Sequence, residues 1–114
     1  MDVPEYGSVA DPAQFKATLA YSPLQNVQPH TAYPAVLMTT GANDPRVAPW
    51  QSRKFTAALQ NVTSSGLPVL LLTRMNAGHG IGAPFSQRVG NTALALTFFA
   101  QELGLPAKSA DTTH

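Results

Sequence analysis

Two short, unbroken apolar runs constrain the fold of this chain more than any other feature. The first is AVLMTT at residues 35–40 and the second is VLLLT at residues 69–73. Neither run alternates between apolar and polar residues, as a strand with one wet face would. Continuous apolar runs of this length are typical of parallel strands that are covered on both faces. The sequence therefore predicts an α/β fold, in which parallel strands alternate with helices.

Helical patterns lie before, between and after the two runs. Asp11 and Pro12 predict the start of a helix that continues to about residue 19, because aspartate caps free N–H groups and proline suits the first helical position. Pro49 begins a second helix, whose apolar residues follow helical spacing. From Phe85, apolar residues recur every three or four positions and predict an amphipathic helix of about five turns, which Gly104 terminates.

The predicted sheet is incomplete. Two strands make a poor sheet, and runs this apolar need neighbours on both sides. We expect the 114-residue chain to hold at most one domain. Residues 1–106 are predicted to be the last part of a larger α/β domain whose earlier strands are not in this chain. Residues 107–114 are predicted to be a frayed tail.

The composition excludes several classes of function. A net charge of +1, from 7 basic and 6 acidic residues with no basic cluster, gives a nucleic acid backbone little to bind. No apolar run approaches the roughly 18 residues that a membrane span needs. The chain has no cysteine, so it has no disulfide framework. The redox compartment therefore cannot be inferred, and a cytoplasmic location is allowed but not indicated.

Each predicted strand leads into a loop with chemically active side chains. The first loop carries Asp44 and the second carries His79 within the sequence AGHGIG. The two residues are 35 positions apart, which is one strand-helix-strand unit, so both can project from the same edge of the sheet. Histidine suits general base catalysis, and a carboxylate on its second nitrogen fixes its tautomer. The pair is therefore a candidate acid and base.

Each of these residues also has a simpler interpretation. A histidine in a glycine loop can be part of a solvated turn, and Asn43, Asp44 and Pro45 together are an ordinary turn signal. Arg46 can hold a substrate carbonyl or carboxylate, or form a surface ion pair. The three histidines lack the spacing of metal ligands, so we expect no metal site.

The sequence lacks a recognisable nucleophile. A nucleophile elbow needs glycine two positions before and two positions after a serine. No serine has that context; the serines are Ser8, Ser22, Ser52, Ser64, Ser65, Ser86 and Ser109. In the α/β-hydrolase order the serine precedes the acid and the histidine comes last. A truncation before Met1 would remove the serine and leave the pattern seen here.

Four motifs together resemble the C-terminal end of the peptidase domain in the prolyl oligopeptidase family of serine peptidases. They are YSPLQNV at 21–27, GANDPRVAP at 41–49, SRKF at 52–55 and AGHG at 77–80. Their order and spacing follow the family over nearly the whole chain, from about residue 5 to residue 105.

The resemblance implies an α/β-hydrolase domain that carries a β-propeller in intact members, needs no cofactor and acts on oligopeptides. It places Asp44 and His79 on the triad acid and base. Arg46 corresponds to an arginine that holds a substrate carbonyl, and Val47 and Tyr6 to residues lining the pocket for the residue before the cleaved bond. Where the family has a tryptophan that stacks on proline, this chain has Asp2.

These observations predict part of a serine oligopeptidase that supplies the acid and base of the triad but not the serine. The chain alone is expected to be inactive. Its partners would be a peptide substrate, the missing part of the hydrolase domain and a propeller. Two alternatives remain open: a non-catalytic module that docks through an exposed sheet edge, and an esterase of the same fold.

Overall fold

The structure is a computed structural model that describes residues 6–75, 78 and 84–105. The predicted order of helix, strand, helix, strand and helix is confirmed. Residues 1–5 and the tail at 107–114 lie outside the described residues. The elements are α1 (Pro12–Tyr21), a short 3-10 helix (Leu24–Asn26), β1 (Val36–Gly41), α2 (Pro49–Val62), β2 (Val69–Arg74) and α3 (Phe85–Glu102).

Helix α1 begins where the sequence predicts and ends two residues later than expected. Asp11 Oδ1 accepts hydrogen bonds from the backbone N–H groups of Ala13 and Gln14, at 2.9 and 3.0 Å. Pro12 occupies the first helical position, where no N–H is required. The aspartate thus satisfies two of the four N–H groups that a helix start leaves without a partner.

Strands β1 and β2 pair in parallel, as predicted. The register runs from Val36 opposite Val69 to Gly41 opposite Arg74. One further hydrogen bond, from the Ala42 N–H to the Arg74 carbonyl at 2.9 Å, extends the ladder past the ends of the strands. Both strands therefore finish side by side, and the loops that follow them leave from the same edge of the sheet.

Helix α2 connects the strands and packs against them to form the only well-buried cluster in the described part of the chain. Leu59 on the helix is 3% exposed and Val69 on β2 is 6% exposed. The Gln60 side chain donates to the Val69 carbonyl at 2.8 Å, which ties the helix to the strand. Thr40 and Thr56 are also buried. One side of the strand pair is thus covered.

The remaining apolar surface is largely uncovered. The accessible surface is 8720 Å², whereas a compact monomer of this mass exposes roughly 6,000 Å². A cavity of about 300 Å³ lies between the strands and α3, lined by Leu37, Thr39, Leu72, Arg74, Asn91, Thr92, Ala95 and Leu96. The strand pair is thus a partial α/β sheet.

Helix α3 is amphipathic, but its apolar side is not buried by any described residue. Leu96 and Leu103 on that side are 62% and 71% exposed. No residue of the helix is buried. In the described ranges no helix is long and apolar enough to cross a membrane. The predicted amphipathic pattern is therefore correct, and the surface that would cover it is not supplied by this part of the chain.

The end of α3 has the geometry that Gly104 predicts. Gly104 has a φ of 66°, in the left-handed region that favours glycine. Its N–H donates to the Gln101 carbonyl at 3.1 Å, and the Leu105 N–H donates to the Ala100 carbonyl at 2.8 Å. These two bonds form a Schellman motif, which satisfies carbonyl groups at the helix end.

Two glycines of this helix should respond oppositely to alanine. Gly104→Ala forces a side chain into the left-handed region, at a cost of about 1 to 2 kcal/mol. Gly90 lies inside the helix, and apart from the helix's own backbone no atom of the described structure lies within 4 Å of an added Cβ, so Gly90→Ala should stabilise the helix by about 0.5–1 kcal/mol. Far-UV circular dichroism of synthetic peptides covering 84–105 measures both. Equal changes in helix content would contradict the assignment.

Candidate active site

The loop after β1 is organised around the Asp44 carboxylate. Asp44 Oδ1 accepts hydrogen bonds from the backbone N–H groups of Arg46 and Val47, both at 2.9 Å. The Asp44 N–H in turn faces the Gly41 carbonyl at 3.4 Å. Hydrogen bonds to a charged acceptor are stronger than neutral ones, so the carboxylate is held in one orientation. The predicted turn is therefore present, with Oδ1 as the acceptor of its two hydrogen bonds.

The loop after β2 meets the Asp44 loop through the residues that flank the predicted pair. The Asn43 side chain donates from Nδ2 to the Met75 carbonyl at 3.1 Å. A Cβ atom placed on Gly78 would lie 3.7 Å from the Asn43 carbonyl oxygen. Asn43 directly precedes Asp44, and Gly78 directly precedes His79. The two loops thus come together at residues that are close in the sequence to both candidate catalytic residues.

His79 itself lies outside the described residues. The prediction that its imidazole meets the Asp44 carboxylate therefore stays a prediction. Among the described residues, no group of three or more histidine, aspartate or glutamate side chains is placed to hold a metal ion.

Arg46 and Val47 lie together on the Asp44 loop, and both are exposed. Val47 is 43% exposed and borders a mainly apolar cavity of about 430 Å³. The cavity is lined by residues 22–25, Met38, Val47, Trp50, Gln51, Ser52 and Phe55. Arg46 and Val47 are thus accessible beside the candidate acid, as a substrate-binding role requires.

Tyr6 lies on a separate segment before α1 and is 56% exposed. The segment is attached to the helix, because the Ser8 N–H donates to the Gln14 side chain at 2.6 Å. Gly7, which lies between Tyr6 and Ser8, has a φ of 82°, an angle that glycine adopts without strain. The described contacts therefore attach the segment after Tyr6 to α1, and the predicted role of Tyr6 in the substrate pocket stays a prediction.

Sequence reasoning did not single out Asn43 as a contact between the two loops. In the sequence it belongs to a turn signal with Asp44 and Pro45. Its side-chain partner is 32 positions away in the chain, so no local pattern reports the contact. The only available signal was its place directly after a strand and before the candidate acid.

The parallel strands and the two meeting loops define part of an α/β-hydrolase type of domain, with its candidate site at the carboxyl edge of the sheet. A profile of the prolyl oligopeptidase family matches residues 2–106. The chain belongs to the prolyl oligopeptidase family.

Individual relatives agree with this assignment. The chain is 37% identical over 102 residues to a prolyl endopeptidase of Elizabethkingia meningoseptica, covering 89% of this chain and 14% of the relative. It is 36% identical over 111 residues to a dual function macrocyclase-peptidase of Galerina marginata, covering 96% of this chain and 15% of the relative. The chain thus spans about one-seventh of the length of these relatives.

Solved structures are similar throughout the chain. One, from an analysis of two prolyl endopeptidases, has a TM-score of 0.86 at 38% identity and covers 91% of this chain and 15% of its own. A prolyl oligopeptidase B from Galerina marginata, bound to a 35-residue substrate, has a TM-score of 0.83 at 37% identity. It covers 94% of this chain and 15% of its own. The partial sheet therefore matches one region of a larger hydrolase fold.

Proposed function

We propose that this chain is the C-terminal part of a serine oligopeptidase domain and supplies two members of its catalytic triad. Asp44 is the acid and His79 is the general base. The serine comes from a part of the peptidase domain outside these 114 residues. The single observation that carries the proposal is the meeting of the two loops, where the Asn43 side chain donates to the Met75 carbonyl and the Asn43 carbonyl lies close to Gly78.

In the proposed reaction the serine hydroxyl attacks the carbonyl carbon of a peptide bond. His79 accepts the hydroxyl proton and then donates it to the leaving amine, which leaves an acyl-serine ester. Water then attacks this ester, with His79 again accepting and returning the proton, and the acid product and the free serine are released. Asp44 accepts a hydrogen bond from the other imidazole nitrogen and stabilises the imidazolium. The backbone N–H groups of Arg46 and Val47 donate to Asp44 Oδ1, which orients the carboxylate.

The proposed substrate is a short peptide. The exposed Arg46 guanidinium would hold a backbone carbonyl of the peptide, and Val47 and Tyr6 would line the pocket for the residue before the cleaved bond. Relatives named prolyl endopeptidase support cleavage after proline. Structures of the Galerina enzyme carry alanine in place of a serine, a histidine or an aspartate, with substrates bound. These three residue types are the ones that the proposal requires.

A hybrid enzyme tests the proposed function directly. Residues 2–106 of this chain would replace the matching segment of the Elizabethkingia prolyl endopeptidase, which keeps its own serine and propeller. We expect the hybrid to cleave a chromogenic peptide with proline before the scissile bond. The control is the same relative with the segment deleted. A hybrid that folds, as judged by its thermal unfolding, but releases no product would contradict the proposal.

A non-catalytic docking module is the second candidate, because the apolar side of α3 and part of the sheet are uncovered. Leu96 and Leu103 on α3 are 62% and 71% exposed, and Leu70 on β2 is 47% exposed. Exposed apolar surface and unpaired sheet edges favour association. This alternative predicts a hybrid that folds but does not hydrolyse the chromogenic peptide. Comparing ester and peptide substrates in an active hybrid separates a peptidase from an esterase.

A further inference from the structure

We infer that Asn43 is a positioning residue for the proposed catalytic pair, an inference that rests on the proposed function. Its side chain joins the loop that carries Asp44 to the loop that leads to His79. It acts through those two residues and has no part in the chemistry itself.

The contact between the loops continues the sheet beyond its last backbone pair. The Ala42 N–H donates to the Arg74 carbonyl at 2.9 Å. One residue further on in each segment, Asn43 Nδ2 donates to the Met75 carbonyl at 3.1 Å. The ladder is thus extended by one side-chain bond into the loops, where backbone pairing has ended.

Asn43 also lies close to the second loop at Gly78. Its own carbonyl oxygen lies 3.7 Å from the site of an added Cβ on Gly78. Asn43 is therefore bonded to the second loop at position 75 and lies close to it at position 78, which directly precedes His79 in the sequence. We infer that this arrangement helps to set the separation of the two loops.

The catalytic consequence follows from the tight geometry of the triad. A misplacement of about 1 Å can lower turnover by about 10²-fold, even when it originates away from the reacting atoms. Asn43 is exposed, so water competes for its hydrogen bond and the loops can separate when the amide is removed. We therefore expect a loss in kcat of about 10-fold with little change in KM, since substrate contacts are unaffected.

The test uses the hybrid enzyme with three variants. Asn43→Ala removes the amide, and Asn43→Gln restores an amide donor on a longer side chain. The matched control is Asn26→Ala, because Asn26 Nδ2 donates to the carbonyls of Leu19, Ala20 and Ser22 at 3.1, 3.2 and 2.8 Å, with no role at the site. We measure kcat, KM and thermal unfolding for each.

The expected result is a kcat about 10-fold lower for Asn43→Ala, a recovery to within about 3-fold for Asn43→Gln, and an unchanged kcat for Asn26→Ala despite lower stability. An Asn43→Ala variant that loses stability but keeps the parent kcat would overturn the inference. So would a rise in KM alone. An inactive parent hybrid would instead count against the proposed function, so the two failures are distinguishable.

Discussion

Replacing His79 with alanine in the hybrid enzyme is expected to lower kcat by about 10⁶-fold, the largest effect that the proposed mechanism predicts. Without the imidazole no group accepts the serine proton or returns it to the leaving amine. Binding through Arg46 and Val47 would remain, so KM should change little. Steady-state hydrolysis of the chromogenic peptide, with active-site titration to count competent enzyme, measures the effect.

The matched control for this variant is His30, the one histidine among the described residues. His30 has a φ of 55°, a conformation that asparagine tolerates better than most residues. His30→Asn should therefore preserve both the fold and kcat. A His79→Ala variant that retains a kcat within about 10-fold of the parent would remove His79 from the general base role.

Replacing Asp44 with asparagine in the hybrid should lower kcat by about 10⁴-fold. Asparagine keeps the shape of the side chain and can still accept the N–H groups of Arg46 and Val47 through its amide oxygen. It loses the negative charge that stabilises the imidazolium and presents the wrong partner to His79. The substitution therefore separates the turn, which survives, from the catalytic role, which does not.

Asp11 supplies the control for this separation. It accepts two backbone N–H groups at 2.9 and 3.0 Å, as Asp44 does at 2.9 Å. Asparagine caps helices about as well as aspartate, so Asp11→Asn should leave kcat unchanged. If Asp44→Asn behaves like Asp11→Asn, the carboxylate only forms a turn.

The double variant Asp44→Asn with His79→Ala should be no slower than His79→Ala alone, because triad members act as a unit.

The order and the parallel pairing of the strands could be predicted because both follow from local patterns. The unbroken apolar runs beginning at Ala35 and Val69 require coverage on both faces, and the helical pattern between them supplies the crossover. The start of α1 at Asp11 and the end of α3 at Gly104 were equally local, since each depends on one side chain or one backbone angle. These features were predicted to within about two residues.

The site could be predicted only in outline. The strand ends predicted that Asp44 follows a strand at the carboxyl edge of the sheet, but the turn around its Oδ1 and the contact from Asn43 to Met75 depend on how the loops fold back. Such contacts join residues distant in the sequence, and no periodicity reports them. The exposure of Leu96 and Leu103 was not predicted either, because an amphipathic pattern identifies an apolar side without identifying what covers it.

The proposed mechanism requires the Asp44 carboxylate and the His79 imidazole to meet at the carboxyl edge of β1 and β2. A crystal structure of the hybrid enzyme tests this requirement through the distance from Asp44 Oδ2 to the nearer imidazole nitrogen of His79. We predict a distance of about 2.7–3.1 Å, a charge-assisted hydrogen bond. Two well-ordered loops with these side chains on opposite faces, or separated by more than about 6 Å, would contradict it.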